Sequence, residues 1–211
     1  MFVEGTLRWQ VTEDCPWDLL MALAIRDLGG IVDACDPLIP RAVPTVSHVA
    51  ANASLMKRIL VHHATEPDME ALRSQWRAWW ERILVRETRP AGTQLKPPHF
   101  TIFDRELELQ DLVAEHYVDA LAWTEQRHDE YVLMSEEQHA KRVADIVEVV
   151  HEREYDLRRQ ASYFRLDIYV LPLARPGAWI VAPHTVIVST SLRQDSPAFR
   201  AWFTPVVAAL V

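Results

Sequence analysis

The segment Ser135–Phe164, SEEQHAKRVADIVEVVHEREYDLRRQASYF, contains no glycine or proline and runs straight into FRLDIYVLPL, the most strand-like stretch of the chain. A long helix feeding a β-hairpin through one connection gives the fold an axis. Ser135 followed three residues later by Gln138 is a capping-box pattern, which places the helix start at Glu136. His139, Val143, Ile146, Val147, Val150 and Leu157 then recur at helical spacing and form one apolar stripe. Lys141, Arg142, Asp145, Glu148, Glu152, Arg153, Arg158 and Arg159 fall on the other faces. The run allows a helix of up to about 28 residues, about 42 Å, with a bend near Arg158 to Ser162.

Upstream, Val3, Leu7, Trp9 and Val11 alternate with Glu4, Thr6, Arg8 and Gln10, the period of a half-buried strand. Asp14-Cys15-Pro16 starts a helix with Trp17, Leu20, Met21, Ala24 and Leu28 inward, and Gly29-Gly30 stops it. Residues 36–44 hold Pro37, Pro40 and Pro44 and read as an extended crossing segment. Thr45 or Ser47 caps a helix facing inward with Val49, Ala53, Met56, Ile59 and Leu60, and Thr65 caps another that carries Trp76, Trp79, Trp80 and Ile83 on one face. After a Pro-bounded loop from Arg89 to Phe103, Asp104 caps a helix to about Val132 with Leu109, Leu112, Val113, His116, Ala120 and Trp123 inward. Leu133 and Met134 are the expected joint of an antiparallel hairpin between this helix and the axial one.

Beyond the axis, Leu166, Ile168 and Val170 alternate with polar residues, Arg175-Pro176-Gly177 makes a turn, and Pro183 splits the β run Ala178–Thr190. Ser196-Pro197 opens a closing helix with Phe199, Trp202 and Phe203, shortened or kinked by Pro205. The expected architecture is a single α+β domain over residues 1–211, mainly helical. It has roughly six helices, including the long antiparallel hairpin, on a small antiparallel sheet of three or more strands.

A formal charge of −8, with 22 basic residues interspersed among 30 acidic ones, argues against nucleic acid as a partner. The N-terminal MFVEGTLRWQ lacks a basic leader and an apolar run, and no stretch is long and apolar enough for a membrane span, so the expected location is the cytoplasm. Two cysteines, Cys15 and Cys35, are too few for a disulfide framework and read as reduced thiols.

Glu-x-x-His occurs three times, at Glu125/His128, Glu136/His139 and Glu148/His151, and this is how carboxylate bundles present metal ligands. In the expected hairpin His128 lies level with His139 and His116 with His151. The two histidines of each helix are twelve residues apart, hence rotated by about 120° from one another, so only one level pair can face inward. The stripes place His116 and His139 inside, about 18 Å apart along the axis, too far to share an ion. The expectation is therefore no metal and no cofactor, with Glu125, His128, Glu136 and His139 as the alternative ligand set. His151-Glu152 has Tyr155 where a zinc-protease helix needs His, and His62-His63 point about 100° apart. Cys15 near a helix start is a nucleophile only if its thiolate is stabilised. Five glycines leave little material for a phosphate cradle.

With chemistry failing on geometry, the expected function is a non-catalytic protein–protein interaction or self-association module, its partner a protein or a second copy. Trp76, Trp79 and Trp80, with Arg73 and Arg77 beside them, are the candidate interaction residues. Their types are those of interface anchors, although the same row also serves as core packing. The alternative is a metal-assisted hydrolase or oxidoreductase using the Glu-x-x-His set.

Overall fold

The computed structural model describes residues 2–6, 8–47, 68–84 and 95–211, with backbone alone for 2–6. In chain order these form β1 (Phe2–Thr6), β2 (Trp9–Asp14), α1 (Trp17–Leu28), α2 (Met69–Leu84), a 3₁₀ turn (Thr101–Phe103), α3 (Leu107–Glu137), α4 (His139–Leu157), β3 (Phe164–Leu171), β4 (Ala178–Ala182), β5 (Thr185–Ser189), α5 (Thr190–Gln194) and α6 (Ser196–Leu210). The class is α+β and mainly helical. Residues fall into two compact units, Met1–Pro16 with Asp129–Val211, and Trp17–His128.

The first unit is built on a sheet in the order β1-β2-β3-β5-β4. It is mixed rather than antiparallel: β1–β2 and β4–β5 are antiparallel, whereas β2–β3 and β3–β5 are parallel. The expected hairpin between β3 and the next strand does not form, because β5 takes the place beside β3. Burial explains the choice. TVIVS of β5 is buried at every residue, as a strand covered on both faces requires, whereas AWIVA of β4 is buried at none and takes the edge. Pro183 does split the two, as its missing N–H demands. The single N-terminal strand expected from the alternation is two strands, folded back on each other between Thr6 and Trp9. Helix α4 packs along α6, and Arg200 of α6 bonds Glu148 and Glu152 of α4.

The axial helix begins later than its sequence suggests. Ser135 and the expected joint at Leu133-Met134 are inside α3, and the chain breaks at Gln138 (φ −104°, ψ 8°) with no side-chain cap. The far end ends near the expected bend, with Arg158 in the left-handed region at φ 51°. The buried face of α4 is Arg142, Asp145, Ile146, Val149 and Val150, so the helix is rotated from the predicted stripe and His139 is exposed. Asp195 caps α6 by accepting from Ala198 N at 3.0 Å, and Pro205 is accommodated inside the helix.

In the second unit α1 is buried continuously from Leu19 to Arg26 rather than along one face, which makes it the central helix there. Arg26 donates to the carbonyls of Ile39 (2.9 Å) and Pro40 (2.8 Å), and Arg77 to Ala34 O (2.8 Å), so side chains satisfy backbone groups that the proline-rich segment cannot pair in regular structure. Asp68 caps the start of α2, accepting from Glu70 N and Ala71 N at 3.0 and 3.1 Å. Helices α2 and α3 meet in antiparallel order. Arg82 near the end of α2 donates to Glu106 at 2.7 Å, and Gln75, a turn or two earlier, accepts from Leu109 N at 2.9 Å. Leu109, Val113, His116, Ala120 and Trp123 of α3 are buried, as their spacing predicts. The helix expected to carry Val49, Ala53, Met56, Ile59 and Leu60, the Thr65 position, His62-His63 and the first part of the Arg89–Phe103 loop lie outside the described residues.

Candidate functional site

The tryptophan row is core, which corrects its expected role as a surface. Trp76, Trp79 and Trp80 are each no more than 2% exposed. The Trp76 ring stacks on Trp80 at 5.2 Å and its Nε1 donates to Ala22 O at 2.9 Å, while Trp79 meets Phe103 edge-on at 5.1 Å. Three large rings on one stripe of α2 pack the second unit from within.

The Glu-x-x-His positions do not converge. Glu125, Glu136 and His139 are exposed and His128 is half-buried. Among the described residues no group of three or more His, Cys, Asp or Glu side chains is placed to hold a metal ion. Cys15 is buried, and burial, with the Asp14 carboxylate adding to it, pushes the thiol well above its ordinary value. A buried thiol held neutral lacks the stabilised thiolate that a nucleophilic role requires. Burial likewise raises Cys35.

The densest chemistry in the first unit is one that the sequence did not point to. Glu13, near the end of β2, is fully buried between two guanidinium groups: Arg142 Nη1 donates to its Oε1 at 2.5 Å and Arg193 Nε to its Oε2 at 2.7 Å. Arg193 also donates to Asp145 Oδ2 at 3.2 Å and to the Arg142 carbonyl at 3.0 Å. The Ser196 hydroxyl bonds the other Asp145 oxygen. Phe199 lies 4.0 Å beneath the Arg193 guanidinium, and the Tyr131 ring 5.5 Å from that of Arg142. Burial, then the Glu13 charge, raises the Tyr131 hydroxyl. Two acids and two bases cancel in charge, and both oxygens of Glu13 are taken by guanidinium donors. The cluster therefore offers neither a free base nor an accessible nucleophile: it binds β2, α4, α5 and the start of α6 together.

One groove on the first unit is lined by apolar side chains. It measures about 340 Å³ and runs between the β4–β5 end of the sheet and the last turns of α6, lined by Leu166, Ile180, Pro183, Val186, Pro205, Val206, Ala209 and Leu210. Ile180 is 67% exposed. No lining side chain carries a hydrogen-bonding group, whereas a small-molecule site has a few placed polar groups that fix the ligand's orientation. The sequence signal for this surface is the uncharged stretch Pro176–Pro183, PGAWIVAP, legible as part of a β run but not as an edge strand. Among the described residues no helix is long and apolar enough to cross a membrane. No protein-family model, curated protein or solved structure matches this chain.

Proposed function

We propose that the chain is a non-catalytic module acting through contact with another protein or with a second copy of itself, and that the contact is made at the groove between β4 and α6. The observation that carries this reading is a groove whose lining side chains are all apolar, beside an edge strand with no buried residue. An apolar surface left in water marks an interaction site more often than a catalytic one when it lacks convergent polar groups. The closed Glu13–Arg142–Arg193–Asp145 cluster supports the same reading, since its groups neutralise one another.

The test is a photo-crosslinking residue, benzoylphenylalanine, in place of Ala209 on the groove rim, irradiated in the purified protein and in extract of the cells that express it. The expected result is a discrete adduct that disappears when Ile180→Lys is combined with it. Absence of any adduct in both settings overturns the reading.

A further inference from the structure

We infer that the occupant of this surface is a second copy of the chain, docked by antiparallel pairing of β4 with β4 of its partner about a two-fold axis at Trp179. The inference rests on the interaction reading above and names its partner.

The hydrogen-bond phase of the edge supplies the first argument. Ser189 N donates to Gly177 O at 2.9 Å, and Trp179 is aligned with Ile187 on the same strand pair. Antiparallel bonds alternate, so Gly177 and Trp179 turn their backbone groups toward β5 while Ala178 and Ile180 turn theirs outward. A two-fold axis at Trp179 sets Ala178 opposite Ile180 of the partner, and the reverse, which pairs both outward N–H groups and both outward carbonyls on each chain.

Charge supplies the second. At a formal charge of −8 two copies carry a net mutual repulsion, so a symmetric contact is favoured where no like charges are forced to face each other. Pro176–Pro183 contains no ionisable residue, and self-pairing brings only Ala, Trp, Ile and Val together. Natural edge strands are kept apart by lysine, inward charges or proline within the strand. Here the prolines stand only at its two ends, and the one irregularity, between Ile180 and Ala182, lies outside the three residues that pair.

Sedimentation velocity on the full chain from about 1 to about 200 µM tests the inference. The wild-type protein is expected to move from the mass of one chain to that of two. Ala178→Pro deletes an outward N–H at the first residue of an edge strand, where proline is tolerated. Ile180→Lys places a charge opposite the partner's β4 at a position already mostly in water. Both variants are expected to weaken association at least tenfold with an unchanged melting temperature. A wild-type protein that stays single throughout the range overturns the inference, as does a dimer that both variants leave intact. If the wild type stays single while the Ala209 crosslinker captures a different protein, the second copy is refuted and the interaction reading stands. If the wild type stays single and the crosslinker captures nothing, both fall.

Discussion

Arg193→Ala isolates the energetics of the buried cluster. The side chain is fully buried and makes three hydrogen bonds, to Glu13 at 2.7 Å, Asp145 at 3.2 Å and the Arg142 carbonyl at 3.0 Å, with the Phe199 ring at 4.0 Å. Truncation leaves two carboxylates facing one guanidinium, an uncompensated negative charge among buried Glu13, Arg142 and Asp145. Removing one partner of a buried pair costs about 3–5 kcal/mol. The lost ring contact, about 2 kcal/mol where desolvated, overlaps with that figure and sets an upper limit near about 7 kcal/mol. Taking about 4 kcal/mol and a urea slope of about 2 kcal/mol/M, the unfolding midpoint followed by far-UV circular dichroism falls by about 2 M. Arg200→Ala is the control. It breaks the bonds to Glu148 and Glu152, both more than half exposed, and such surface pairs contribute at most about 1 kcal/mol, a shift of about 0.5 M or less. Equal shifts for the two variants, or less than about 1 kcal/mol for Arg193→Ala, would refute the claim that this cluster holds the unit together.

Trp76→Ala removes a buried ring and its bond to Ala22 O, so a loss of about 4 kcal/mol is expected, read as a drop in melting temperature; a stable variant that has lost only self-association would restore the tryptophan row as an interface. Stability is also expected to fall at alkaline pH. Cys15 and Tyr131 have native values raised by burial, so the unfolded chain ionises first, and each contribution is complete below that group's own ordinary value, the thiol's for Cys15 and the higher phenol's for Tyr131, and lost above it. With an unfolded thiol near about 8.5, Cys15 alone costs roughly 2 kcal/mol at pH 10, and Cys15→Ala should flatten that limb of a urea-midpoint profile. An unchanged alkaline limb in that variant counts against a buried neutral thiol.

Periodicity located what periodicity controls. The inward face of α3, the stop of α1 at Gly29-Gly30, the break at Pro183 and the start of α6 at Ser196-Pro197 were all legible, because each follows from spacing or from one residue's backbone constraint. What failed was the rule that charge means solvent. On α4 the stripe Arg142, Asp145, Ile146, Val149 and Val150 has spacing as regular as the one predicted, but its two charged members disguise it as a solvent face. An opposite-charge pair three apart in an otherwise apolar stripe was the available signal. Its partners could not be found locally, since Glu13 is 129 residues from Arg142 and 180 from Arg193. The parallel pairings failed similarly: β2 and β3 are separated by most of the chain, so neither turn chemistry nor alternation bears on their direction. The tryptophan row shows the opposite limit, since composition suits a core and an interface equally and burial alone separates them.

The cluster and the groove are mechanically linked, and this decides which variants can probe function. Ser189 caps α5 by accepting from Leu192 N at 3.2 Å, Arg193 of α5 enters the ion network, Asp195 caps α6, and Ser196 bonds Asp145. Within a few residues the chain passes from β5, one side of the groove, through the cluster to α6, the other. Arg193 and Ser196 therefore anchor the start of the helix that carries Pro205, Val206, Ala209 and Leu210, together with its packing along α4. A cluster variant that abolishes association would report a displaced helix rather than a lost contact. Ala178 and Ile180 are free of that ambiguity: their backbone groups point away from β5, their side chains make no part of the network, and a change there alters what the edge can pair with while leaving the anchor of α6 in place.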